Sequence, residues 1–115
     1  MSNLFIINSS PFSRKDVEDC FTRCFDLMAI EAMHEEERTG LIFIQNAVVA
    51  AKRGNSFERD LFTLHRLNVT LYVLKPDARA RGITSEQLIP VFRQVDMEEF
   101  VDLVMEEFDK VATWT

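Results

Sequence analysis

The 115 residues of this chain predict an α/β fold: a single-domain, three-layer sandwich with a mostly parallel sheet of about five strands and helices on both faces. Three observations predict it. Apolar runs too short for helices recur at residues 4–7 (LFII), 41–44 (LIFI), 69–74 (VTLYVL) and 89–95 (IPVFRQV), the last interrupted by Pro90 and polar residues. Runs that skip polar alternation suit strands covered on both faces, the habit of parallel sheets. Helically spaced apolar residues fill the intervals, so strand and helix alternate along the chain. The length predicts one domain over 1–115, able to bury roughly 65% of its unfolded surface without disulfides or metals.

The elements follow in order. After the first strand, Ser13 can cap a helix, Asp16 completes a capping box, and Phe12 with Val17 forms a hydrophobic staple. The stripe Val17, Phe21, Cys24, Phe25 and Met28 has helical spacing and ends before Gly40, with Glu35-Glu36-Glu37 on a solvated face. A second helical region is expected over 46–53, broken at Gly54-Asn55 and resuming to about His65. A short helix is expected after Lys75-Pro76-Asp77 up to Gly82, and one more turn over 84–88. The last long helix should cover 97–108, with Phe100, Val101, Val104, Met105 and Phe108 on one side, and residues 110–114 should close the sheet.

Composition excludes several function classes. Nineteen acidic against thirteen basic residues give a formal charge of −6, and no Lys/Arg cluster offsets it, so direct nucleic-acid binding is not expected. No stretch nears the roughly 20 apolar residues that span a bilayer, and the N-terminus reads as a strand rather than a signal peptide, so a cytoplasmic location is expected. Cys20 and Cys24 are then two thiols, not a disulfide. Ten phenylalanines against one Tyr and one Trp point to a Phe-rich core or to rings kept for a partner subunit.

The search for chemistry returns little. Three glycines allow neither G-x-G-x-x-G nor a Walker A loop, and there is no G-x-S-x-G elbow. His34 and His65 have no second ligand in view, so neither a metal nor a cofactor is expected. In a parallel sheet, ligands bind beyond the carboxyl ends of the strands. Here those ends carry Asn8, Ser9, Ser10, Gln45, Asn46, Lys75, Asp77 and Asp96, a polar rim without a strong nucleophile. Asn8, Ser9, Asn46 and Asp77 are expected to cap turns and helix starts, and a small-ligand module built on Asn8, Gln45 and Asp77 is the alternative.

The thiols remain. Cys20 and Cys24 share one helix face four residues apart. Cys24 falls near the centre of the apolar stripe and is expected in the core, whereas Cys20 lies at its polar border. Asp16 and Asp19 should hold a Cys20 thiol at or above its reference value of about 8.5, with Arg23 a partial offset. A stand-alone thiol enzyme built on Cys20 is therefore a weaker reading than a secondary site.

Taken together, LFIINSSPF at 4–12, IFIQNAVVAA at 42–51, LYVLKPDARARGI at 71–83, VDMEEFVDLV at 95–104 and DKVATW at 109–114 resemble the DsrH/TusB family of sulfur-relay proteins over almost the whole chain. The most specific pieces are Y-V-L-x-x-D-x-x-A-R-G and the D-x-x-x-F-V-D-L…W ending. The resemblance implies a five-stranded α/β sandwich. It also implies a heterohexamer with DsrE/TusD-like and DsrF/TusC-like subunits, which handles protein-bound persulfide and passes the sulfur to a DsrC/TusE-like carrier. The principal sulfur-carrying cysteine belongs to the DsrE/TusD-type subunit, so this chain is expected to be mainly structural. DsrH-type members of sulfur-oxidising bacteria carry a first-helix cysteine where Cys20 falls, making Cys20 the candidate persulfide site and tilting the reading toward the oxidation branch. The alternative is a TusB-type subunit serving 2-thiolation of the tRNA wobble uridine. Two departures stand out: Gln45-Asn46-Ala47 replaces the common Q-D-G, losing a carboxylate and a glycine's freedom, and residues 30–39 form a longer segment than usual.

Overall fold

The computed structural model describes residues 2–8, 10 and 38–114. Five strands, β1 (Ser2–Ile7), β2 (Arg38–Phe43), β3 (Thr70–Leu74), β4 (Phe92–Val95) and β5 (Lys110–Trp114), form one sheet in the order β4-β3-β2-β1-β5. Every pairing is parallel. The expected first helix, with Ser13, Asp16, Cys20 and Cys24, lies outside the described residues.

Strand alternation sorts the apolar residues onto two faces. Across the register, Phe5, Leu41, Leu71 and Phe92 share one face, and Ile6, Ile42, Tyr72 and Arg93 share the other. On the first face Ile7, Leu41, Phe43, Leu71, Val73 and Phe92 pack with Ala47, Val48, Leu61, Leu64 and Ala78. These partners come from a 3-10 helix (Gln45–Ala51), from α1 (Glu58–Arg66) and from α2 (Lys75–Ala80). On the second face Leu4, Ile6, Ile42, Tyr72, Leu74 and Val95 meet Leu103 and Phe108, which follow α3 (Met97–Asp102). Helices thus cover both sides, as expected for three layers. The topology explains the division. The chain steps from β1 to β4 in one direction and then jumps back past β1 to β5. A right-handed crossover in the reversed direction puts its helix on the opposite face.

Four details differ from the sequence reading. The helical region expected over 46–53 is a 3-10 helix over Gln45–Ala51, whose Ala47, Val48, Ala50 and Ala51 are buried. Two adjacent β-branched valines weaken the α-helix preference, and small residues let the tight coil press onto the sheet. The break at Gly54 is where expected, with φ +84. Strand β4 starts only at Phe92, because Pro90 has no N–H for a ladder and the Ile89 amide bonds the Ala51 carbonyl at 2.8 Å. The last helix loosens after α3 into a π-helical turn, Leu103–Glu107. Its apolar stripe is also turned from the expected one. Leu103 and Phe108 are buried and Phe100 and Val104 half-buried, while Met97, Val101 and Met105 are exposed at 53, 50 and 74%.

The strand β2 glycine is set by packing. A Cβ on Gly40 would lie 2.7 Å from Phe108 Cζ and 3.2 Å from Leu4 Cδ1. The ring of Phe108 occupies that side-chain space, and the Arg38 guanidinium stacks over its centroid at 4.6 Å.

Candidate functional site

The carboxyl ends of β2 and β3 meet in a knot of hydrogen bonds. Strand β2 leads through Ile44 to Gln45, which adopts φ +49. The Gln45 amide donates to Asp77 Oδ2 at 2.6 Å. Strand β3 runs directly into α2, whose first turn presents Asp77 and whose C-cap is Arg81. The Arg81 guanidinium closes the knot, donating through one nitrogen to the Asp77 carbonyl at 3.1 Å and through another to Asn46 Oδ1 at 2.9 Å.

Of the expected rim, Asp77 and Asn46 therefore hold each other's elements rather than capping their own helices. Ile44, which precedes the 3-10 helix, gives it no side-chain cap; its first amide, that of Gln45, is taken by Asp77 instead. Asp96 does cap: its Oδ1 accepts the Glu99 amide at 2.8 Å, and Glu99 Oε1 accepts the Asp96 amide at 3.4 Å. Asn8 and Ser10 are half-buried and engaged, and Ser9 lies outside the described residues. The unusual Gln45-Asn46-Ala47 now has a structural account. Positive φ falls on Gln45, not on Ala47, so a glycine's freedom is not needed at the buried Ala47. Asn46 accepts from the Arg81 guanidinium through a neutral amide oxygen, where a carboxylate would make an ion pair.

A second polar region was not expected. A groove of about 440 Å³ lies on the second face between β3–β4 and the last helix, lined by Arg38, Tyr72, Arg93, Glu99, Asp102 and Glu107 among others. Tyr72, the single tyrosine, is 4% exposed there. A polar tip inside the apolar run VTLYVL was the signal that could have pointed to this groove. Among the described residues, no three His, Cys, Asp or Glu side chains gather as metal ligands. His65 sits exposed in the last turn of α1. No helix among the described residues is long and apolar enough to cross a membrane.

The sequence of the chain matches the family model described as DsrH like protein over residues 9–111. The chain belongs to the DsrH family. Its DsrH-type sequence is 38% identical to Protein TusB of Pectobacterium parmentieri over 80 residues, which span 67% of this chain and 77% of that protein. Protein TusB of Pectobacterium atrosepticum is 35% identical over the same shares. Membership in this DsrH/TusB family places the chain among sulfur-relay subunits. Solved structures share the fold. The ychN protein from E. coli superposes with a TM-score of 0.76 at 21% identity, covering 99% of this chain and 100% of that one. MTH1491 from Methanobacterium thermoautotrophicum gives 0.74 at 18% identity, covering 96% and 97%.

Proposed function

We propose that this chain is a mainly structural subunit of a heterohexameric sulfur-relay complex. It assembles with DsrE/TusD-like and DsrF/TusC-like subunits, and the complex hands protein-bound persulfide sulfur to a DsrC/TusE-like carrier. The observation that carries the reading is the family match across 9–111. Two structural features support it. The polar groups at the ends of β2 and β3 are spent on one another, which suits a scaffold better than a catalytic rim. The last helix also keeps an apolar row in solvent, as a subunit does for a partner.

Two observations favour different acceptors. Cys20 matches the first-helix cysteine of the sulfur-oxidation branch, and we retain it as a secondary persulfide site. The TusB relatives favour delivery to the tRNA wobble uridine. Deleting the gene and measuring tRNA 2-thiouridine separates them: its loss selects thiolation, and its persistence with impaired sulfur oxidation selects the other branch. The subunit reading itself is tested by co-purification. The tagged chain should bring down both sibling subunits in equal amounts, and a chain recovered alone from cells expressing all three overturns it. Sulfur loading of the complex followed by intact mass should add one sulfur to this chain, abolished by Cys20→Ser. An unmodified chain in a loaded complex removes Cys20 from the relay.

A further inference from the structure

The last helix divides its surface sharply. Glu99, Asp102, Leu103 and Glu107 line the groove against Arg93, Gln94 and Val95 of β4. The flank turned away from β4 carries Met97, Val101 and Met105, spaced four residues apart and all at least half exposed. On the same sheet face, Val111 of β5 stands opposite the buried Leu4 and is itself 37% exposed. Three exposed apolar side chains thus lie on one side of one helix, and a fourth stands on the same sheet face in β5. Isolated exposed apolar residues are ordinary, but a row of them along one helix flank marks an interaction surface.

Charge selects the occupant. From Met97 to Asp109 the chain carries Glu98, Glu99, Asp102, Glu106, Glu107 and Asp109 and no Lys or Arg. A second copy docking through the same face would set acidic helix against acidic helix, which like-charge repulsion opposes. We infer that the Met97–Val101–Met105 row with Val111 is the docking face for a different protein, one presenting an apolar surface rimmed by lysine or arginine. Within the complex proposed above, on which this inference rests, that partner is a sibling subunit. Methionine suits the role because its flexible thioether fits an irregular apolar surface.

The test uses the full chain with its DsrE/TusD-like and DsrF/TusC-like siblings. The double variant Val101→Asp, Met105→Asp changes only exposed residues and should keep the wild-type circular dichroism and melting temperature. It should bind the siblings at least about tenfold more weakly, as expected when interface anchors are lost. Glu98→Lys with Glu106→Lys, which leaves the apolar row intact, should also weaken binding. Mild peroxide should oxidise Met97 and Met105 readily in the free chain and several times more slowly in the complex. A double variant that assembles like wild type, or methionines oxidised equally in both states, removes this face while leaving the subunit reading in place. A wild-type chain that ignores both siblings removes both. A homodimer of the wild-type chain dispersed by the double variant overturns the choice of a heterologous partner.

Discussion

Thr39 and Gly40 are neighbours in β2, and packing treats them in opposite ways. The Thr39 side chain is 1% exposed, and its hydroxyl has no hydrogen-bond partner among the described residues. A buried, unanswered polar group costs about 1–3 kcal/mol. Thr39→Val keeps the shape and removes the hydroxyl, so it should stabilise the chain by about 1 kcal/mol, read as a higher urea midpoint with an unchanged slope. A lower midpoint would mean that the hydroxyl is answered after all. Gly40→Ala should do the reverse. Its methyl would enter space held by the Phe108 ring, a buried side chain that cannot swing into water. Overpacking of this kind costs about 1–3 kcal/mol, and Phe108→Leu should recover part of it by opening room. Nothing in the sequence announced either feature. Gly40 was legible only as a helix stop, because the ring that fills its side-chain space comes from 68 residues further along the chain.

At the scale of elements, the knot between β2 and α2 decides how two connections seat on the sheet. Asp77→Ala leaves the Gln45 amide without its acceptor while Gln45 still bears the left-handed backbone. A hydrogen bond to a charged group is worth about 1.5–3 kcal/mol, and partial exposure puts this one at the lower end. The loss should be near 1.5 kcal/mol in a thermal or urea melt, and Asp77→Asn should recover about half because an amide oxygen still accepts. Asn46→Asp restores the carboxylate common in the family. It should add no more than about 1 kcal/mol, since the Arg81 pair is exposed, and a larger gain would assign the knot a greater share of stability. The residues of the knot were visible in the sequence as Q-N-A and D-x-x-A-R-G, but their pairing was not. Thirty-five residues separate Asn46 from Arg81, and only the parallel register of β2 and β3 brings them together. Regular elements were more legible. The closing strand over 110–114 and the turn at Gly54 follow from local chemistry, whereas the paired valines only disfavour an α-helix without announcing a 3-10 one, and the π-helical turn has no local signal.

For the molecule as a whole, the sheet order has a consequence for β1. That strand is the fourth in the sheet order and becomes interior only because β5 joins its far side, with Asn3 opposite Lys110 and Ile7 opposite Trp114. Asp109 ties the join, its carboxylate accepting from the Ser2 amide and hydroxyl at 3.1 and 3.2 Å and its own amide donating to Ser2 Oγ at 2.9 Å. Lys110, Val111, Ala112 and Thr113 are all exposed, so β5 contributes little apolar burial through these residues. What it supplies is a cover for the backbone edge of a strand whose Leu4, Ile6 and Ile7 are buried. Truncation after Asp109 should therefore cost little in the melting transition and much in solubility. The cut chain gains a free apolar edge able to recruit another strand, so light scattering at micromolar concentration should rise while far-UV circular dichroism stays close to that of the full chain. Val111→Lys in the intact chain is the control. It leaves β1 paired and should stay soluble, so aggregation of this variant as well would mean that the uncovered edge is not the cause.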